Sequence, residues 1–376
     1  MARGGRLRGL RTPLWAAAAL LLCFGAAALQ DDEGKFIGWR GETYQPKSGG
    51  GGGGGGGGPG GGGGEPGKPW VEVVSWRPRA FVAHGFLTPE EARHLRKLSA
   101  ITLRRSTVIG AGGKSVEDSY RTSFGTFLRR RSDPIVSAVD ARVAAWARVP
   151  EENAEDMQVL RYDIGQYYKK HFDGLEDDHA GPRVATVLIY LSDVEEGGET
   201  AFPDGSEWAH PDQAARSGPF SPCAAGSVAF KPKMGDALLF WSIKPDGHTL
   251  DPASMHTGCP VLRGVKWSAT KWIHARAFRP EAWAKSLRGE KEAGDGADPG
   301  VCDNSDANCQ SWADSGECSK NPGYMVGDNG SLGACRRACG VCTVCEPGDL
   351  ACYNENRRKL GYLVLKDVSL ESDWLF

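Results

Sequence analysis

The sequence predicts an α+β chain: a jelly-roll or sheet-sandwich body with flanking helices, followed by a small disulfide-rich domain. Three observations carry this. Two helix-start signals precede a set of short β-rich runs separated by Gly and Pro, the order expected when helices back a sheet sandwich. Eight of the 11 cysteines crowd between Cys302 and Cys352, a density that reads as disulfides in an oxidising compartment. At 376 residues the chain exceeds one average domain and has ample material for a sizeable core.

The N-terminus agrees with the cysteines. Arg3, Arg6, Arg8 and Arg11 precede an uncharged Ala- and Leu-rich run over 14–29, with small residues Ala26 and Ala28 suited to a cleavage site. The run is shorter than the ~20 residues of a spanning helix. With its basic end in the cytosol it would equally serve as an uncleaved anchor. Residues 1–30 are therefore read as signal peptide or signal anchor, and the chain is expected in the endoplasmic reticulum, lumenal or held by a single-pass anchor. Residues 31–69 form a Gly-rich linker: from Gly49 to Gly64 every residue but Pro59 is glycine, a composition that cannot pack a core. It either spaces a catalytic body from a membrane or is a tolerated expansion. The formal net charge of −2 gives no pull towards nucleic acid.

The first packed domain spans 70–280. Residues 71–76 have strand composition. Leu87-Thr88-Pro89-Glu90-Glu91 starts a helix, with Thr88 as N-cap, Pro89 at the first helical position and Glu91 closing a capping box. Leu95 and Leu98 follow on its apolar face. A second helix opens at Asp133-Pro134, carries Ile135, Val139, Val143 and Trp146 on one side, and ends by Pro150. Strands are expected over 157–162, 184–191, 227–230, 237–241 and 267–274. Residues 281–300 turn polar and Gly-rich, a linker; a cysteine module over 301–342 and a tail over 343–376 complete the chain.

His171-Phe172-Asp173 places two donors two residues apart, on one face of an extended segment. Alone such a pair is common by chance. His256 supplies a third donor, and two imidazoles with one carboxylate are the set that non-haem Fe(II) oxygenases use, leaving positions open for a bidentate keto-acid and dioxygen. Structural zinc would want a fourth protein ligand. In Lys266-Trp267-Ser268-Ala269-Thr270-Lys271-Trp272, alternation puts Lys266, Ser268, Thr270, Trp272 and His274 on one face, with Lys271 on the other and solvated. A lysine buried in a barrel mouth needs an anionic partner, which a co-substrate carboxylate would be.

Across 71–277 the chain resembles the catalytic domain of prolyl 4-hydroxylases of the plant and algal type. The motifs are Tyr162-x-x-Gly165-Gln166-x-Tyr168-x-x-His171-Phe172-Asp173, Arg183-Val184-Ala185-Thr186, Gly197-Gly198-Glu199-Thr200-Ala201-Phe202-Pro203, Lys233-x-Gly235-Asp236-Ala237-Leu238-Leu239-Phe240 and Asp251-Pro252-Ala253-Ser254-x-His256-x-Gly258-Cys259-Pro260. The resemblance implies a double-stranded β-helix in which His171, Asp173 and His256 bind Fe(II). It implies that Lys266, with the hydroxyls of Thr200 and Tyr162, holds 2-oxoglutarate, and that Arg183, Tyr168, Trp272, Arg121 and Ser123 line a groove for a proline-rich polypeptide. Tyr168 and Trp272 could instead be core aromatics. The implied reaction gives 4-hydroxyproline, succinate and carbon dioxide, with ascorbate as the expected reductant. Two rivals stay open: an oxygenase acting on another residue, and a secreted binding protein built on an inactive oxygenase fold.

Cys302-Asp303-Asn304, Cys309, Trp312-Ala313, Gly316-Glu317-Cys318, Asn321-Pro322, Tyr324-Met325, Cys335 and Cys339-Gly340-x-Cys342 resemble the sea-anemone-toxin-like (ShKT) domain. Spacing alone does not choose a pairing; the resemblance implies Cys302 with Cys342, Cys309 with Cys335 and Cys318 with Cys339. Cys345 and Cys352 are then left to pair with each other. The overlapping CxxC spacings at 339–342 and 342–345 also allow a zinc reading, which the secretory context disfavours. In the catalytic body Cys223 and Cys259 form a disulfide or remain two buried thiols. Asn329-Gly330-Ser331 is a glycosylation sequon. His179 is read as a loop residue, and His84, His94, His210 and His248 as solvated. His274 is either beside the metal or structural.

Overall fold

The computed structural model describes residues 69–106, 108–109, 115–116, 122–175, 177, 179–290, 298–327 and 332–365. The expected signal segment, most of the glycine linker, Arg121, Asn329 and residues 366–376 lie outside them. Among the described residues no helix is long and apolar enough to cross a membrane.

The chain opens with a hairpin, β1 (Trp70–Arg77) and β2 (Arg79–His84), then helix α1 (Pro89–Ala100) and three two-residue strands, β3 (Arg104–Arg105), β4 (Val108–Ile109) and β5 (Ser115–Val116). Strand β6 (Phe124–Leu128), helix α2 (Pro134–Ala147) and strands β7 (Met157–Tyr162), β8 (Tyr168–His171) and β9 (Arg183–Tyr190) follow. Next come β10 (Glu196–Gly197), β11 (Thr200–Phe202), β12 (Glu207–Trp208), the short helix α3 (Gln213–Ser217), β13 (Val228–Phe230) and β14 (Ala237–Trp241). Strands β15 (His256–Gly258), β16 (Val261–Arg263) and β17 (Lys266–His274) close the body. Nine strands form the major sheet, in the order β12-β1-β2-β14-β9-β17-β7-β6-β3. Four form the minor sheet, β13-β11-β15-β8.

Both faces of the major sheet are covered. On one face Phe81, Leu239, Val187 and Ile189 pack against Ala92 and Leu95 of α1 and Val136, Val139 and Val143 of α2. On the other, Val82, Leu238, Phe240 and Tyr190 meet Phe202 and Val228 of the minor sheet. Alternation along each strand sends successive side chains to opposite layers, so the central strands carry apolar residues almost continuously.

The helix starts follow their local chemistry. Thr88 Oγ1 accepts from the Glu91 amide at 3.2 Å and the Glu91 carboxylate accepts from the Thr88 amide at 2.9 Å, so both halves of the capping box are closed. Asp133 caps α2 by accepting from the amides of Ile135 and Val136. That helix stops at Ala147, where Arg148 takes a left-handed conformation (φ 56°) two residues before Pro150.

Two expectations of solvated side chains are corrected. Lys271 is 0% exposed and ion-paired at 2.8 Å with Asp140 of α2, because its face of β17 lies under that helix and not in water. His84 is lodged between Asp236 (2.8 Å) and Glu72 (3.4 Å) and stacked on Trp70. Burial opposes its charge, but the two carboxylates prevail and raise it to about 9.

Described residues within the regions read as linker and tail form helices. Helix α4 (Pro280–Leu287) continues from the body. The cysteine module holds α5 (Cys309–Asp314), α6 (Glu317–Lys320) and α7 (Pro322–Met325), and the tail forms α8 (Leu350–Lys359). Arg357 of α8 is fully buried; it donates to the carbonyls of Leu363 (2.7 Å) and Ala100 (3.5 Å) and pairs with Asp298. The Leu363 amide donates to the Leu103 carbonyl, tying the tail to the end of α1. The structure pairs Cys302 with Cys342, Cys309 with Cys335, Cys318 with Cys339, Cys345 with Cys352 and, in the body, Cys223 with Cys259.

Candidate metal and co-substrate site

Strands β8 and β15 pair antiparallel with His171 opposite His256, which sets the two imidazoles side by side at the mouth between the sheets. Their ring centroids are 4.2 Å apart. Asp173 follows β8, its side chain returning to the same point: Oδ1 lies 3.5 Å from His171 Nε2 and Oδ2 3.6 Å from His256 Nε2. One donor atom from each residue falls within 4.8 Å of the others. Donors about 2 Å from one ion on a single face are about 3 Å apart, so these separations close on an ion with small side-chain adjustments.

The tautomers fit. His171 Nδ1 donates to the Lys169 carbonyl (2.8 Å) and His256 Nδ1 to the Ser254 carbonyl (3.0 Å), which leaves both Nε2 lone pairs facing Asp173. Thr186 donates to Asp173 Oδ2 at 2.8 Å. Burial would raise the Asp173 carboxyl, yet His256 and His171 hold it well below the usual range. Burial, with His171, lowers His256 to about 4. A carboxylate and neutral imidazole are the protonation states that a divalent ion requires.

Beyond the triad, β17 points Lys266 into the same space. It is 4% exposed and donates to the Gly198 carbonyl at 2.7 Å, while the rings of Tyr162 and Tyr190 lie 5.5 and 5.9 Å away. Among the described residues it makes no ion pair; burial lowers it to about 8, against the weaker opposing pull of Glu199, which is itself bonded to Ser221. Gly197 and Gly198 both have positive φ (75° and 69°), and a Cβ on Gly197 would sit 2.3 Å from the Pro260 carbonyl oxygen. Only glycine permits the turn that aims the Gly198 carbonyl at Lys266. Thr200 is buried nearby and accepts from the Tyr190 hydroxyl at 3.1 Å. The Ser268 hydroxyl, on the Lys266 face, is buried with no hydrogen-bond partner among the described residues. An unpaired ammonium and an unsatisfied hydroxyl beside a three-donor metal site suit a small dicarboxylate.

A second cluster flanks the triad. The Arg183 guanidinium lies 4.0 Å over the Trp272 ring, and its Nε donates to Glu155 at 2.5 Å; His274 Nε2 meets the same Glu155 oxygen at 2.8 Å. Tyr168 is half-buried and stacks on His171 with centroids 3.6 Å apart. Ser123 does not join them: it is fully buried and donates to Ser106 Oγ at 2.9 Å. His179 stays in its loop, with its amide bonded to Asp177.

Sequence reading missed Tyr190, Glu155 and the phenyl rings of Phe202 and Phe240 that wall His256. Tyr190 was within reach, since it shares an alternation face with Thr186, next to Asp173. Glu155 lay just before a strand, where no periodicity marks a side chain.

A family model described as the 2OG-Fe(II) oxygenase superfamily matches residues 157–274, which include the triad and Lys266. The chain is 46% identical over 275 residues to "Probable prolyl 4-hydroxylase 6" of Arabidopsis thaliana, covering 72% of this chain and 88% of that protein. It is 45% identical over 277 residues to prolyl 4-hydroxylase 2 of the same plant, with the same coverages. Among solved structures, the viral collagen prolyl hydroxylase of Paramecium bursaria Chlorella virus-1 in its 2OG complex aligns at 28% identity. That alignment covers 52% of this chain and 96% of the viral one, with a TM-score of 0.38.

Proposed function

The chain belongs to the prolyl 4-hydroxylase family of 2-oxoglutarate- and Fe(II)-dependent dioxygenases, and we propose that it hydroxylates C4 of prolyl residues in proline-rich polypeptides. 2-Oxoglutarate and dioxygen are consumed, and succinate and carbon dioxide leave with the hydroxylated peptide. His171, Asp173 and His256 would hold Fe(II), which when bound supplies the oxidising chemistry. The chain's own residues do the rest. The carbonyls of Lys169 and Ser254 fix the two imidazole planes, and Thr186 orients the Asp173 carboxylate. Lys266 pairs with the far carboxylate of 2-oxoglutarate, with Thr200, Tyr162 and Tyr190 around it. Phe202 and Phe240 keep water from the His256 side of the site.

Tyr168, Trp272 and Arg183 wall the peptide groove in this reading; flat aromatic and guanidinium surfaces suit the rigid apolar rings of a polyproline helix. Arg121 and Ser123 belong to the groove by resemblance, and Ser123 would act from its buried position just ahead of β6. Ascorbate is the proposed reductant for iron oxidised in turnovers without peptide. The five disulfides support a secretory compartment, and the arginine-led apolar N-terminus supports the endoplasmic reticulum, as lumenal or anchored enzyme. The cysteine module would be an ShKT domain serving as a docking or stabilising cap, and Asn329 a glycosylation site.

One observation carries the enzymatic reading: a three-donor site with both imidazoles tautomerically fixed, adjoining a buried lysine that makes no ion pair among the described residues. The test is succinate release with Fe(II), 2-oxoglutarate and poly(L-proline), and mass spectrometry of the peptide. Peptide-dependent succinate together with 4-hydroxyproline is expected; neither appearing would favour a binding protein on an oxygenase fold.

A further inference from the structure

The Lys271–Asp140 pair takes no part in the site above, although both side chains are shut off from solvent. A buried ion pair is often no more stabilising than apolar residues of the same volume. What distinguishes this one is a second contact. The Lys271 ammonium also donates to the Glu155 carbonyl at 2.5 Å. The Glu155 amide donates to the Trp272 carbonyl at 2.9 Å, and Asn153 Nδ2 to the His274 carbonyl at 3.0 Å. The segment ahead of β7 is thereby stitched to β17 by three hydrogen bonds, joining Asn153 and Glu155 to Lys271, Trp272 and His274. From that fixed backbone the Glu155 carboxylate reaches Arg183 and His274, and Arg183 is laid over Trp272.

We propose that Asp140 and Lys271 are positioning residues for the peptide groove, holding Glu155 from behind the sheet so that Arg183 keeps its plane over Trp272. The inference rests on the reading of Arg183 and Trp272 as groove residues. Helix α2 is itself fixed in the core through Val136, Val139 and Val143, so Asp140 presents its carboxylate at a set point. Lys271 transmits that point through the sheet to Glu155. Among the described residues the side-chain partners of this pair are each other and the Glu155 carbonyl, not the triad or Lys266, so an effect on peptide alone is the signature. Misplacing a binding group by about 1 Å can cost on the order of a hundredfold.

The test is the double variant Asp140→Leu/Lys271→Met, which replaces the pair with apolar side chains of similar size. Poly(L-proline) serves as the peptide, and Arg183→Ala runs beside it. The double variant is expected to fold, to keep the wild-type KM for 2-oxoglutarate and the wild-type succinate release without peptide, and to raise the peptide KM about ten- to a hundredfold. A folded double variant with wild-type peptide KM overturns the proposal. So does one in which both KM values rise together, since that reports general damage. If Arg183→Ala raises the peptide KM and the double variant does not, the positioning role alone fails. If Arg183→Ala leaves it unchanged, the groove reading itself fails. Should the double variant not fold, Asp140→Asn keeps the size and loosens the ammonium. A smaller rise in peptide KM alone is then expected, and no rise overturns the proposal.

Discussion

Strand Lys266–His274 carries a buried lysine on each face, and the two are partnered in opposite ways. Lys271, under α2, meets the Asp140 carboxylate and the Glu155 carbonyl. Lys266, between the sheets, has a single carbonyl, two tyrosine rings at more than 5 Å and no ion pair among the described residues. The helix-side lysine is complete within the fold. The lumen-side lysine is short of one anion. A folded chain tolerates such a shortfall when a ligand removes it, and the metal triad beside it says which kind of ligand.

The largest effect expected is on the lumen side. His171→Ala, Asp173→Ala or His256→Ala should each abolish peptide-dependent succinate release while leaving the thermal unfolding transition cooperative. Activity surviving His171→Ala but lost in His179→Ala would move the site elsewhere. Next comes the contrast between the lysines in stability, read by denaturant unfolding without ligands. Lys271→Ala strands the Asp140 carboxylate and should cost about 3–5 kcal/mol. Lys266→Met removes an ammonium that makes no ion pair among the described residues and should be neutral or stabilising. Equal losses would erase the distinction. The smallest effect is on pH. Burial lowers Lys266 to about 8 from its ordinary value of 10.5, so the folded protein gives up this proton before the unfolded chain does. Without ligand, stability from this group rises with pH between about 8 and 10.5. Anaerobic binding of 2-oxoglutarate should instead weaken as pH passes about 8, because the ammonium is the binding form; affinity constant to pH 10 would contradict it.

Much of this was legible in the sequence, for reasons visible residue by residue. The capping box at Thr88–Glu91 and the Asp133–Pro134 start are local signals, so the helices follow from them directly. Alternation placed Lys266 on the lumen face of its strand. It also placed Lys271 opposite, but alternation says only which face a residue takes. It does not say what covers that face, and a helix from over a hundred residues earlier does. The same limit hid His84 between Glu72 and Asp236, and Glu155 beneath Arg183. Composition gave no sign of the packing of residues 350–365, because Arg357 and Leu363 gain their partners, Ala100 and Leu103, from the far end of the domain.

The most direct measurement is peptide-dependent succinate release titrated with 2-oxoglutarate, for the wild type and Lys266→Ala side by side. Losing one partner of a buried charge pair costs about 2–5 kcal/mol, so half-saturation in the variant should require at least roughly thirtyfold more 2-oxoglutarate. The same half-saturation in both proteins would contradict the account, since the anion that completes Lys266 would then not be the co-substrate.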